Sequence, residues 1–384
     1  MRGRVAVGVA LALLVAAAGL RDWAVTQTAP AAVPGPLPRA AASADSAAPW
    51  SAAPAQVPTD EQLASASGSA APEPVPAARG GAVWDLCGVG RLPMPPGASP
   101  GERPELPEHL GATPLAEARG KLLAVLLGGD ARAQVVASHM RENTLAVQRD
   151  ETAEAELARA GRDPVAVSWA LARCLTEPCQ QQALDRWVEL EPDNAVPLLL
   201  RIGSRPRADE TSLRPLWKAR RAQAHWGVLS DTVRRAMPAD LPGYVQMQLL
   251  SEAMVAEGAV LDVGHQTALA LCKPAPAAGT ERQAGCTALA RLMVERSDTL
   301  LGVMMGLQVG EAAGLDPAYL RDKRAALEQL RAQFGRVEAE QPLSCEALRQ
   351  AQQWVEAVAR EGEIPALRAM RASSPYSATP PQSR

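Results

Sequence analysis

The stretch ALDRWVELEPDNAVPLLLRIG, Ala183 to Gly203, holds the end of one helix and the start of another. Leu184, Trp187 and Val188 fall at helical spacing, as an apolar stripe does. Pro192 has no amide hydrogen and cannot continue that helix. Asp193 or Asn194 then offers a side-chain oxygen to an orphan amide of the next helix, the task of an N-cap. Pro197 interrupts the run that follows. A turn this short leaves its two helices side by side, so the stretch predicts a helical hairpin.

The same punctuation recurs in both directions along the chain. Thr113-Pro114 opens a run that Gly128-Gly129 ends, and Asp130 opens ARAQVVASHMRENTLAVQ. Asp163-Pro164 and Glu177-Pro178 each place Pro in a first helical turn, where its missing N–H costs nothing. Thr280 with Gln283 forms a capping-box pattern. Asp298 opens TLLGVMMGLQVGEAA, with Gly314 as its stop. Asp316-Pro317 and Ser344 open the last two long runs. Val167, Leu171 and Cys174 keep helical spacing, as do Leu327, Leu330 and Phe334. No run shows sustained period-two alternation. About a dozen helices joined by short turns follow from this pattern. Aromatic residues make up only 3% of the chain, which fits Ala- and Leu-rich helices and disfavours a large β core. The fold class is all-α.

The residues Leu190, Pro192, Asn194 and Ala195 match the junction between tetratricopeptide (TPR) repeats, and the segment Asp163–Gly203 resembles that family. The resemblance implies an α-solenoid of stacked hairpins. It departs from the family at Pro197 and at SRPRADETSL, and no 34-residue period recurs elsewhere. The expectation is therefore a degenerate TPR-like array. The layout is also similar to that of anchored envelope proteins of Gram-negative bacteria. These share an N-terminal anchor, a Cys-Gly-x-Gly-Arg segment (here Cys87 to Arg91) and a helical C-terminal domain, without an established activity.

At the N-terminus, Arg2 and Arg4 precede an uncharged apolar run from Val5 to Leu20, closed by Arg21, Asp22 and Trp23. Such a run covers about 24 Å, short of a bilayer core of about 30 Å. The positive flank stays cytoplasmic, so residues 1–25 read as a signal-anchor with the bulk of the chain exported to the periplasm. Trp23 suits an interfacial anchor. The alternative is a signal peptide cleaved near Ala16-Ala17-Ala18, which frees a periplasmic protein. Residues 26–82 are rich in Ala, Pro, Ser and Gly and lack the apolar mass to offset chain entropy, so they read as a disordered spacer. The helical domain spans 83–373, and residues 374–384 read as a disordered tail.

The chain has six cysteines: Cys87, Cys174, Cys179, Cys272, Cys286 and Cys345. An even count in an exported protein suggests disulfides, with fifteen possible pairings. The helix layout narrows them. Cys174 ends one helix and Cys179 starts the next. Cys272 and Cys286 flank the loop KPAPAAGTERQAG. By elimination Cys87 joins Cys345. A zinc site is disfavoured, because no second close cysteine pair exists and the histidines are scattered. The reading therefore includes no metal and no cofactor.

Net charge is −3, with 39 Lys plus Arg against 42 Asp plus Glu, so no nucleic-acid partner is expected. GVGRLP (Gly88–Pro93) lacks the third glycine of a dinucleotide loop, and no P-loop, H-E-x-x-H or G-x-S-x-G is present. Trp84, Leu86 and Val89 can dock on the helices, with the glycines letting the chain turn. His225-Trp226 reads either as the lining of a groove or, as is commoner for a His beside an aromatic, as packing. One cluster stands out: Arg214, Lys218 and Arg221 around Trp217. It reads either as an ordinary solvated helix face or as a binding surface for an acidic partner. The expected function is non-enzymatic: a membrane-tethered scaffold that binds other envelope proteins. The alternative is an envelope hydrolase with a site between helices.

Overall fold

The computed structural model describes residues 83–94, 106–142, 152–204, 210–260, 264–273, 276–334 and 341–373. All described residues belong to one compact unit. The apolar run Val5–Leu20, the spacer 26–82 and the tail 374–384 lie outside them. Among the described residues no helix is long and apolar enough to cross a membrane.

The described residues are mostly helical. The helices are α1 (Ala112–Leu127), α2 (Ala131–Glu142), α3 (Thr152–Ala160), α4 (Pro164–Arg173), α5 (Glu177–Leu190), α6 (Ala195–Gly203), α7 (Glu210–Trp217) and α8 (Val228–Ala236). They continue with α9 (Gly243–Val260), α10 (His265–Cys272), α11 (Glu281–Arg296), α12 (Leu300–Ala312), α13 (Pro317–Phe334), α14 (Cys345–Glu361) and α15 (Glu363–Ser373). Neighbours in sequence pack together, notably α1 on α2, α4 on α5, α11 on α12 and α14 on α15. Later helices also return: α14 packs on α8 and α9, which themselves hold α1 and α2.

Local chemistry explains the helix starts. Asp163 accepts from the Val165 amide at 3.0 Å, and the same carboxylate holds Arg132, tying α2 to the start of α4. Asn194 accepts from the Val196 amide and starts α6. Thr280 accepts from the Gln283 amide, and Ser344 from the Ala347 amide. Two starts differ from the sequence reading. α12 is capped by Thr299, whose hydroxyl accepts from the Gly302 amide, whereas Asp298 turns away to other amides. Pro197 does not interrupt α6, because that helix begins at Ala195. Pro197 is thus its third residue, and an amide there has no partner within the helix in any case.

Under α4–α6 lies a core of Val167, Cys174, Cys179, Ala183, Trp187 and Val196, all buried, with Leu171, Leu190 and Leu200 packed on it. The Cys174–Cys179 disulfide spans the α4–α5 turn, and Cys272–Cys286 joins α10 to α11.

The described residues open with a hairpin that period-two reading missed, because each strand has only four residues: β1 (Val83–Leu86) and β2 (Gly90–Pro93), antiparallel, with Trp84 opposite Leu92. Trp84 and Leu86 are buried, but Val89 is 40% exposed and does not dock. Gly88, at φ 85°, takes a left-handed conformation that favours glycine, and a Cβ there would stand 3.0 Å from the Gly243 nitrogen. The outer edge of β1 is covered by a side chain. Gln341 accepts from the Asp85 amide and donates to the Val83 carbonyl, as a neighbouring strand would. Further along, the Cys87 amide donates to the Leu343 carbonyl at 2.9 Å, and the Tyr244 amide donates to the Cys87 carbonyl at 2.8 Å. Cys87 is bonded to Cys345, at 4.5 Å between Cα atoms, so the hairpin is fastened to the starts of both α9 and α14.

Candidate functional site

Residues 218–227, between α7 and α8, form no helix, yet much of this loop is shielded from water. A sheltered backbone must find partners. This one finds them in two inter-helix turns. On one side the Arg220 amide donates to the Asp193 carbonyl at 2.9 Å, and the Ala195 amide donates to the Arg221 carbonyl at 2.8 Å. On the other, the Asp298 amide donates to the Ala222 carbonyl at 3.4 Å. Both contacts have the form of a parallel β-bridge, Asn194 with Arg221 and Ala222 with Ser297. The start of α15 joins the second turn, with the Glu363 amide donating to the Asp298 carbonyl at 2.8 Å.

Side chains complete the lacing. Asn194 is fully buried and uses its whole amide. Its Nδ2 donates to Glu191 and to the Gln223 carbonyl, each at 2.9 Å, and its Oδ1 accepts from the amides of Gln223 and Val196. Glu191 is 4% exposed. It accepts from Trp187 Nε1 at 2.8 Å, Asn194 Nδ2 at 2.9 Å, His225 Nε2 at 2.9 Å and Arg221 at 3.2 Å. Burial alone would raise its pKa. The hydrogen bond and charge of His225, with the bonds from Asn194 and Trp187, outweigh that and hold it at about 2. Arg221 also binds Asp193 at 2.9 Å. Burial opposes its charge, but Asp193 and Glu191 prevail and raise its pKa.

Among the described residues His225 is the only non-glycine with a positive φ, 59°. Such a backbone costs on the order of 1–3 kcal/mol. Here it aims the ring at Glu191, beside Trp187 at 6.2 Å between ring centroids. On the other face of the loop, Asp298 accepts from the Ala224 amide at 2.9 Å and the Trp226 amide at 3.3 Å. Burial raises its pKa, opposed by those amides and by His225. Glu363 accepts from the Leu300 amide at 2.7 Å. Burial, with the neighbouring Asp298 charge, pushes it up to about 7.

A further buried acid, Glu257, closes the loop's far end. Gly227 begins α8 with no side chain to cap it, and a Cβ there would stand 2.6 Å from Val358. Glu257 of α9 supplies the missing cap. It accepts from the Leu229 amide at 3.1 Å, the Ser230 amide at 3.3 Å and the Ser230 hydroxyl at 2.6 Å. Burial, which these bonds only partly offset, raises it to about 7.

The arrangement holds charge and protons at fixed places. It does not assemble a nucleophile: among the described residues no hydroxyl is bonded to His225, and every cysteine is in a disulfide. Nor do the described residues contain a group of three His, Cys, Asp or Glu able to hold a metal.

Of the cluster named from sequence, Arg214, Trp217 and Lys218 share one stretch of surface. Arg214 is exposed, 3.8 Å from Glu281. Trp217 is half-buried and packs on Gly285 of α11, where a Cβ would collide with the indole at 2.3 Å. Lys218 is exposed. Arg221 does not join them, because Glu191 and Asp193 draw its guanidinium inward. The sequence does not single out Glu191, Glu257 or Glu363; it offers Asp298 only as a helix start and His225 only as packing or a groove lining. Only the helix-ending position of Glu191 and the buried run after Asp298 hinted at them. No family model, curated protein or solved structure matches the chain.

Proposed function

We propose that the protein is a membrane-tethered, periplasmic scaffold: a degenerate TPR-like set of helical hairpins, carried on a spacer, that binds other envelope proteins. The observation that carries this reading is the complete pairing of the cysteines within a helical body. Disulfides persist in oxidising compartments and are rare in the cytosol. The Arg-flanked apolar run Val5–Leu20 and the Ala/Pro-rich spacer agree with export and tethering. Helices pairing in sequence order, with the Leu190-Pro192-Asn194-Ala195 turn between α5 and α6, support the TPR-like part.

The partner surface in this reading is Arg214, Trp217 and Lys218, extended by the exposed Arg220. Exposed cations beside a half-buried indole suit an acidic partner segment. The test is cross-linking in intact envelopes with the full-length chain and with an Arg214→Ser, Lys218→Ser, Arg220→Ser variant. Loss of a defined set of cross-linked envelope proteins is expected. An unchanged set removes the surface from the proposal, and free thiols in non-reducing mass spectrometry remove the compartment.

A further inference from the structure

We propose that the α11–α12 turn is a pH-sensitive joint. Half-buried Asp298 and buried Glu363 adjoin there, and the loop that grips Asp298 carries the imidazole of His225. The grip of loop 218–227 and of α15 on this turn then weakens as the medium passes from mildly acidic to mildly alkaline.

The geometry brings three parts of the chain to one residue. Asp298 gives its carboxylate to the amides of Ala224 and Trp226, its carbonyl to the Glu363 amide and its own amide to the Ala222 carbonyl. Gly362, at φ 88°, lets α15 come close, since a Cβ there would lie 3.2 Å from the Asp298 Cα. The Glu363 carboxylate reaches past the turn to the Leu300 amide. Loop 218–227 and α15 are therefore held to α12 largely through two acids.

The charges around these acids are few. Loop 218–227 presents His225, whose Nε2 is also bonded to Glu191; of its three permanent cations Arg221 is committed to Glu191 and Asp193, while Lys218 and Arg220 are exposed. α12 presents amides and the Thr299 hydroxyl, and the turn itself adds Ser297 Oγ. α14 ends in Glu361, which is paired with Arg360. From α13, which packs on α15, no charged side chain perturbs Glu363. His225 thus acts on Asp298, and the charge that acts on Glu363 is that of Asp298.

The sign follows from burial. Glu363 is raised to about 7 and Asp298 is also raised. An acid raised on folding binds its proton more tightly in the folded state, so the joint has its full hold near the acid's unfolded pKa and below. That hold falls as pH climbs through 7, where Glu363 becomes charged out of water beside Asp298. The α5–α6 turn lacks this weakness, because Glu191 stays ionised among its donors.

Amide hydrogen exchange on the full-length oxidised protein, at several values from pH 5.5 to 8 and corrected for intrinsic rates, tests the joint. Opening at Ala224, Trp226, Leu300 and Glu363 is expected to rise by about 10- to 100-fold across that range. Amides of α4 and α5 serve as the internal reference and should not follow. A uniform change across the protein, or none at the joint, overturns the proposal. A Glu363→Gln variant keeps an acceptor for Leu300 but cannot ionise, and most of the pH dependence should vanish in it. Persistence of the full dependence in that variant also overturns the proposal. Should the variant not fold, the wild-type comparison of joint against α4–α5 decides alone.

Discussion

The α5–α6 turn and the α11–α12 turn each take an acid out of water, and they treat it differently. Glu191 receives Trp187, Asn194, His225 and the permanent cation Arg221, and its pKa is driven down to about 2. Glu363 receives one backbone amide and has Asp298 for a neighbour, and it is driven up to about 7. Both are nearly closed to solvent, with Glu363 the more deeply enclosed by protein. The number of donors and the sign of the nearest charge differ as well. A buried carboxylate therefore stabilises a turn only when its surroundings supply the counter-charge that water has stopped supplying.

The sharpest way to break the comparison is to remove the residue that makes the first turn well satisfied. Asn194→Ala orphans the Gln223 amide and carbonyl, the Val196 amide and one bond to Glu191. It should cost about 3–5 kcal/mol in denaturant unfolding at pH 7. A loss under about 1 kcal/mol would show that water replaces the side chain easily.

Glu191→Gln comes next, at about 2–3 kcal/mol near neutral pH, since it leaves Arg221 and His225 without their shared anion. Its pH dependence fixes the sign. The folded pKa of Glu191 lies below the unfolded value, so its contribution is present above about 4.5 and lost as pH falls toward 2. The gap between wild type and variant, followed by thermal unfolding, should close over that window. A gap that widens on acidification would contradict the assignment.

Glu257→Gln should behave in the opposite sense and more weakly. Wild-type Glu257, raised to about 7, loses stability as pH rises from about 4.5 to 7. The amide variant should match wild type near pH 5 and exceed it by up to about 1 kcal/mol at pH 8, the gain limited by its imperfect fit as an acceptor. The smallest effect is expected from Arg214→Ser with Lys218→Ser. Stability should stay within about 0.5 kcal/mol, because exposed charges contribute little.

The two turns also differ in how legible they were. Pro192 and Asn194 announce the first locally, since a helix stop and an N-cap act over two or three residues, and the structure uses Asn194 as the cap. The second misled. Asp298 stands where a cap is wanted, but Thr299 takes that task and frees Asp298 for amides 72 and 74 residues earlier. Glu363 meets Leu300 across 63 residues, a pairing that no spacing rule encodes. His225 gave no local sign of its positive φ, because loop 218–227 takes its shape from the two turns it touches. The cysteines were more readable, since the helix layout restricts which of them can meet. The hairpin was not, because four-residue strands are too short for alternation to register and because its edge is covered by the side chain of Gln341.

The Cys87–Cys345 bond has a mechanical meaning. Tension applied between the two ends of the chain enters at the hairpin and crosses directly into α14, bypassing a sequence separation of 258 residues. Of the described helices, only α14 and α15 lie on the loaded path, and α1 to α13 hang from it as a shielded loop. Stretched in an optical trap, the oxidised protein should yield only the length of its last two helices and its flanking segments. The reduced protein should pay out the whole domain.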